Sequence, residues 1–373
     1  MNAPHAPSFL GAVDMAPRDP ILGITEAYNA DANPRKVNLG VGVYTDENGK
    51  VPLLECVRRA EAQMMAQPAP WTYLPIDGLA AYDKAVQGLL FGADGEIVSS
   101  GRACTVQALG GTGGLRVGAD FLRRFTPGAQ VWISDPSWEN HRALFEAAGF
   151  TVNAYPYYHA PTRGLDFDGM IGALSKAPEG HIAVLHACCH NPTGVDPTRE
   201  QWDRILKVVR ERGLIPFLDL AYQGFGDGID ADGEVVRRFG ATPGPMLVAS
   251  SFSKSFSLYG ERVGALTVVT ASRDEAGRAL SQLKRIVRAN YSNPPTHGGK
   301  IVATVLSSPE LRTLWEQELG GMRDRIKAMR KVLVDRLHAR VPGVDFSFML
   351  KQRGMFSYSG LTKAQVERMR AEH

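Results

Sequence analysis

From about Ala108 to Val269, short apolar runs alternate with amphipathic segments, the pattern of a sheet covered by helices on both faces. Apolar runs at Val131–Ser134, Ile182–Ala187, Leu214–Asp219, Met246–Ser250 and Val263–Val269 predict buried strands. Helical spacing of apolar residues predicts helices over Gly113–Phe125, Asn140–Ala148 and Arg199–Glu211. Further on, Arg273–Arg288, a stretch after Pro295, and Pro309 to about Arg340 predict long helices, and Val344–Leu350 and Gly354–Ser359 predict short strands. Thr362 with Gln365 three places on is a capping-box pattern for a last helix. The chain stops at His373 without a C-cap, which reads as a sequence cut inside an element. The expected architecture is α/β, a mostly parallel sheet sandwiched by helices with a second, smaller α/β domain. The large domain is placed at 50–315 and the smaller, discontinuous one at 1–49 plus 316–373.

Composition narrows the class without fixing it. With 373 residues, 44% hydrophobic and 22% charged, the chain has the make-up of an ordinary globular protein and enough length to bury a cofactor. A net charge of +3 comes with no block able to track a nucleic-acid backbone, so no nucleic-acid partner is expected. The densest basic stretch, Arg323 to Arg340, is interleaved with Ile326, Met329, Val332, Leu333 and Leu337 and reads as the wet face of an amphipathic helix. Cys56, Cys104, Cys188 and Cys189 show no Cys-x-x-Cys spacing and read as reduced thiols; no metal is expected. Met1–Pro7 has neither a basic n-region nor an apolar h-region, and no stretch approaches a membrane span, so a cytoplasmic setting and no membrane partner are expected.

The chemistry centres on Lys254, in Ser250-Ser251-Phe252-Ser253-Lys254, with Arg262 downstream in Gly260-Glu261-Arg262-Val263-Gly264. A lysine just past an apolar strand, among hydroxyls and near an arginine, offers an amine to an aldehyde while its neighbours hold a phosphate. That combination points to pyridoxal 5'-phosphate, which supplies an electron sink that the protein must bind and tune. Cationic neighbours and desolvation lower a lysine's pKa toward useful basicity. Asp219 closes its strand where a carboxylate can keep a pyridine nitrogen protonated. Tyr222 and Asn191, the latter in His190-Asn191-Pro192-Thr193-Gly194, offer donors to the ring's phenolate oxygen. Gly110-Gly111-Thr112-Gly113-Gly114 opens a helix whose N–H groups face an anion, with Arg262, Ser251 and Ser253 completing the cup. Trp138 follows a strand and offers a flat face to the ring. Each feature alone has a plain structural reading: a solvated loop lysine, an aspartate starting a turn, Asn-Pro as turn chemistry, a tryptophan in the core. Their joint order favours the cofactor. The glycine cluster lacks the spacing of a nucleotide or dinucleotide loop, which disfavours a nicotinamide dehydrogenase.

These residues, with Val37–Tyr44, Tyr73-Leu74-Pro75-Ile76-Asp77-Gly78, Cys189–Gly194, Ala221–Phe225 and Arg288–Pro295, resemble the class I aminotransferases of PLP fold type I, in the aspartate and aromatic amino-acid branch. The resemblance runs from about Asp19 to the end of the chain. It implies that Lys254 is the Schiff-base lysine and proton shuttle, Asp219 the pyridinium partner, and Asn191 and Tyr222 the phenolate donors. It implies that Gly111, Thr112, Ser251 and Arg262 hold the phosphate, that Trp138 stacks on the ring, and that His141 supports Asp219. Tyr73 resembles a residue that reaches the neighbouring subunit's phosphate, and Arg288 one that crosses the same interface to clamp a distal carboxylate. Gly42 resembles a backbone contact to substrate. A homodimer with shared sites follows from the resemblance. In the family a further arginine, beyond the Gly354–Leu361 run, grips the substrate α-carboxylate; the sequence ends before that point, and the chain is expected to be a truncated or partial form of an active enzyme.

The activity implied is ping-pong amino transfer from aspartate or from phenylalanine and tyrosine to 2-oxoglutarate, by way of pyridoxamine phosphate, with amino acids and 2-oxo acids as the small-molecule partners. Positions Val43, Thr45, Val51, Thr72, Thr112 and Asn293 rim the expected pocket, and the reading leans to dual specificity with substantial aromatic activity. The alternatives are a β-lyase or a related decarboxylase, disfavoured by Arg288, and a protein that binds the cofactor without turnover.

Overall fold

The computed structural model describes residues 9–16, 22–38, 40, 42–70 and 72–372. Met1–Pro7, the Asp19–Ile21 start of the resemblance, and Leu39 and Val41 of its first run lie outside the described residues. The chain divides into two compact units, Met1–Val43 and Tyr44–His373. The first holds a 3-10 turn at Phe9–Ala12 and a helix at Leu22–Ala30. After that helix, Asp31 and Asn33 side chains accept from backbone N–H groups two residues on, at 2.8 and 3.0 Å, a local turn chemistry that competes with helix continuation.

The second unit is built on a seven-stranded sheet. In chain order the strands of this unit are β1 (Ala103–Leu109), β2 (Val131–Asp135), β3 (Val152–Pro156), the short pair β4 (Tyr158–His159) and β5 (Gly164–Leu165), β6 (Ile182–His186), β7 (Ile215–Leu220), β8 (Met246–Ser251) and β9 (Val263–Val269). The large sheet has the order β1-β9-β8-β7-β6-β2-β3. Pairings β8/β7, β7/β6, β6/β2 and β2/β3 are parallel, and only β9 runs against its two neighbours. Strands β6, β8 and β9 are buried along their whole length, which is why they read as unbroken apolar runs rather than alternating ones.

Successive side chains of these strands enter two separate cores. Leu185, Leu218, Val248 and Ala265 face one with Tyr82, Phe239 and Trp315, while Val184, Phe217, Leu247 and Leu266 face the other with Leu115, Leu122 and Phe145. The helix Gly110–Phe125 lies on the second face. It comes close because Gly118 has no side chain: a Cβ there would sit 2.4 Å from the Phe217 ring.

The five expected strands and the helices over 199–211, 273–290, 297–307 and 309–340 are present. The expected strands at Val344–Leu350 and Gly354–Ser359 are not: residues Ser347–Lys351 form a 3-10 helix and 354–359 is irregular. Side chains take the place of a ladder there. Arg330 donates to the carbonyls of Gln352 (2.7 Å), Gly354 (2.7 Å) and Phe356 (3.2 Å), and Gln352 bonds both the N–H and the C=O of Tyr358 at 2.9 Å. With those groups satisfied, the segment has no need of a neighbouring strand. The same finding corrects the reading of the basic stretch in helix Pro309–Arg340, since Arg330 is only 4% exposed. The capping box at the last helix is present, with Gln365 N–H on Thr362 Oγ1 (3.3 Å) and Thr362 N–H on Gln365 Oε1 (2.8 Å).

Candidate active site

The topology gathers the candidate residues. Strands β1, β2, β6, β7 and β8 all end at one edge of the sheet, and β9 begins there, with Leu109 opposite Val263, His186 opposite Asp219 and Ser251 opposite Gly264. Loops beyond that edge carry Trp138, Asn191, Tyr222 and Lys254, and the first turn of the helix after β1 carries Gly111 and Thr112, the usual placement of a site in an open α/β sheet.

Asp219, in β7, is 5% exposed, and His141 Nε2 lies 2.8 Å from its Oδ2. A carboxylate only accepts, so the imidazole N–H is the donor. The other ring nitrogen, Nδ1, meets Ser137 Oγ at 2.9 Å, which fixes the ring's orientation. Burial alone would raise the Asp219 carboxyl, but the hydrogen bond and charge of His141, helped by His186 and Lys254, hold it below the usual carboxylate range.

Lys254 is half-buried, with Nζ 5.0 Å from the centre of the Tyr222 ring. Burial pulls its amine below the usual lysine range; the charge of Asp219 opposes that and Arg262 adds to it. The Tyr222 hydroxyl is pushed up by burial and by Asp219, while a hydrogen bond with the Asn191 side chain works the other way. Trp138 is half-buried and meets the His141 ring edge-on at 5.3 Å.

At the glycine cluster the helix starts at Gly110, with φ +69°, no side-chain cap and no acidic residue in its first turn. Gly110 N–H donates to the Arg262 carbonyl at 2.9 Å, and a Cβ on Gly110 would lie 2.6 Å from Arg262 Nη2. Gly111 packs on Ser251, whose Cβ would be 3.0 Å from an added methyl. Arg262 also reaches Ser253 Oγ at 3.4 Å. A guanidinium against the positive end of a 16-residue helix is repelled unless an anion joins them, and uncapped N–H groups need an acceptor. A phosphate answers both. The cluster therefore fits a group that carries an aldehyde, a pyridine nitrogen and a phosphate.

Two predicted residues stand apart from these interactions. Tyr73 is 91% exposed, with no hydrogen bond from its hydroxyl among the described residues, and Arg288 is exposed at the end of helix Arg273–Asn290 with its guanidinium on Ser292 Oγ. Gly42 belongs to the first unit. Sequence reasoning missed Ser137, His186 and His190. His186 and His190 are buried and in ring contact (4.4 Å), and His190 is held by Ser134 Oγ (2.9 Å) and Thr193 Oγ1 (2.8 Å) while stacked on Tyr157. Burial keeps both imidazoles well below the usual histidine range. Only the Ser137–His141 spacing of four on the approach to a helix offered a readable signal.

Comparison with known proteins gives the same class. The profile of the family described as "Aminotransferase class I and II" matches residues 34–373. The chain is 60% identical over 365 residues to an aspartate aminotransferase of Pseudomonas aeruginosa, covering 98% of this chain and 92% of that protein. It is 64% identical to an aromatic-amino-acid aminotransferase from Burkholderia pseudomallei whose crystal structure has covalently bound pyridoxal phosphate (TM-score 0.95, covering 98% and 92% of the two chains). A psychrophilic aromatic amino acids aminotransferase from Psychrobacter sp. B6, cocrystallised with aspartic acid, is 46% identical with TM-score 0.95, covering 97% and 91%. The chain belongs to the class I and II aminotransferase family. It is an aminotransferase, and the cofactor and transfer chemistry expected from its sequence are those of that family.

Proposed function

We propose that the Lys254 cluster is the pyridoxal 5'-phosphate site of this aminotransferase, and that it moves amino groups from both aspartate and aromatic amino acids to 2-oxoglutarate. The observation that carries the proposal is a desolvated lysine amine beside a buried carboxylate held ionised by His141. When bound, the cofactor supplies an electron sink that accepts the charge left at a substrate carbon as its proton departs.

The protein's own groups do the rest. Lys254 Nζ, its proton affinity reduced by burial, would take the proton from the substrate Cα and return it two atoms along, across the amino nitrogen, as a positioned general base and acid. Asp219, anionic because His141 donates to it, holds a proton on the pyridine nitrogen. Tyr222 and Asn191 donate toward the phenolate oxygen, and Trp138 covers the ring. The amides of Gly111 and Thr112, with Ser251 and Arg262, hold the phosphate.

Dual specificity is supported by near-equal likeness to relatives named for aspartate and for aromatic amino acids, one of the latter crystallised with aspartic acid. We assign Arg288 to the distal carboxylate and Gly42 to a backbone contact with substrate. A homodimer in which Tyr73 and Arg288 serve the partner's site explains why a tyrosine stands 91% exposed. The division into a large domain at 50–315 and a small one at 1–49 plus 316–373, and a cytoplasmic setting, belong to the same proposal; among the described residues no helix is long and apolar enough to cross a membrane.

The test is a half-reaction. Protein loaded with pyridoxal phosphate is mixed with L-aspartate or L-phenylalanine, and the cofactor's absorbance is followed. Conversion with both, reversed by 2-oxoglutarate, is expected. Conversion with one alone overturns dual specificity, and an unchanged spectrum with both overturns the assignment of turnover to this cluster.

A further inference from the structure

At the edge strand β1, with no residue of the Lys254 cluster in its lining, lies a groove of about 640 Å³ bounded by helices Ala80–Phe91 and Arg273–Asn290. Its charged lining is Asp77, Asp83, Lys84, Arg273 and Lys284, with Cys104 beside them. Asp83 is the anomaly. Its Oδ1 is shut away from water without a partner, and the carboxyl makes no hydrogen bond or ion pair among the described residues. A buried polar group left so calls for a missing partner. Lys284 is the cation nearest to hand, but its ammonium is held by Asp77 at 2.9 Å. The one ammonium is thus taken by Asp77, and Asp83 is left without it. Burial, with the charge of Asp77 added, pushes Asp83 up to about 8 against the opposing pull of Lys284.

The rim has the opposite character. Lys84 is exposed and makes no ion pair among the described residues, and the exposed Arg273 has only a 3.4 Å bond to the Ser100 carbonyl. The groove therefore offers an acceptor without a donor inside and cations without an anion outside.

We propose that this groove is a second small-molecule site, which takes a short zwitterion with its ammonium on Asp83 and its carboxylate between Lys84 and Arg273, the chemistry of a free amino acid. An ammonium carries three donors and neutralises the surplus carboxylate, and a guanidinium fork with a neighbouring ammonium matches a carboxylate. Because the groove lining shares no residue with the Lys254 cluster, occupation of one does not require the other.

The experiment is calorimetric titration of protein loaded with pyridoxamine phosphate, whose amine does not condense with an added amine. The probe is 4-aminobutyrate, with butylamine and butyrate as its two halves. Expected are a millimolar dissociation constant for 4-aminobutyrate, weaker binding of either half, and at least about tenfold weaker binding by Asp83→Asn, the loss of one charged hydrogen bond. Lys84→Ala with Arg273→Ala, at exposed positions that leave the fold intact, weakens 4-aminobutyrate several-fold and leaves butylamine unchanged. This double variant decides the matter should Asp83→Asn fail to fold. The proposal is overturned if 4-aminobutyrate gives no saturable heat, if Asp83→Asn binds it as tightly as the parent, or if the double variant leaves its affinity intact.

Discussion

Asp219 is buried and Asp83 is half-buried with its Oδ1 shut away from water, and the two carboxyls come to rest on opposite sides of the usual carboxylate range. Burial pushes both the same way. The difference lies in what surrounds them: Asp219 has His141 at 2.8 Å, itself braced by Ser137, and positive charge from Lys254, whereas Asp83 has no hydrogen bond among the described residues and a second carboxylate nearby. Burial alone therefore does not mark a functional carboxylate. What holds Asp219 below the usual carboxylate range is a donor fixed in place before any ligand arrives, and what leaves Asp83 above it is the absence of one among the described residues.

The sharpest way to break the comparison is Asp219→Asn, which keeps the shape and removes the charge. Losing one partner of a buried charged pair is worth about 3–5 kcal/mol, so the transamination rate with aspartate is expected to fall by on the order of 10³-fold. A single-turnover rate within tenfold of the parent would remove Asp219 from its assigned role.

His141→Ala has a smaller effect with a more telling signature. It deletes one charged hydrogen bond, about 1.5–3 kcal/mol, and lets burial raise Asp219. The rate is expected to fall about tenfold or somewhat more, and the acid limb of the pH–rate profile should move to higher pH, because Asp219 now gains its proton sooner as pH falls. A lower rate with an unmoved limb would make His141 a packing residue only.

Asp83→Asn acts on stability instead. In the parent the folded carboxyl titrates at about 8 and the unfolded one near the ordinary ~3.9. The folded state therefore binds more protons across that window, and stability declines as pH rises from about 4 to about 8 before levelling. The variant lacks this decline. Denaturant midpoints of parent and variant should diverge with rising pH, the variant gaining on the parent by a few kcal/mol at most, and an identical pH dependence would mean that Asp83 finds a partner in solution.

Much of the site was legible because its residues sit where strands end, and strand ends are visible in a sequence as the close of an apolar run. Lys254, Asp219 and Asn191 all announce themselves that way. Two strands of the large sheet did not. In β1, Thr105 and Gln107 are buried polar residues that interrupt the run, paired in the fold with Thr267 Oγ1 (2.9 Å) and the Pro295 carbonyl (2.8 Å). Strand β3 is at the sheet edge and half open to water. The histidines behind Asp219 were illegible for another reason: His186 and His190 come from β6 and the turn after it, and their meeting with His141 is a product of tertiary packing, with no local pattern to betray it.

Arg330 ties distant parts of this site together. Its guanidinium, in the middle of a 32-residue helix, gathers the carbonyls at 352, 354 and 356; Arg353 N–H in turn bonds the Gly194 carbonyl at 2.7 Å, and the Phe356 ring stands edge-on to Tyr222 at 5.7 Å. Mechanically, this is a tie-rod: the long helix holds one knot of carbonyls, and the knot is fastened both to the turn that carries Asn191 and to the ring beneath the Lys254 amine.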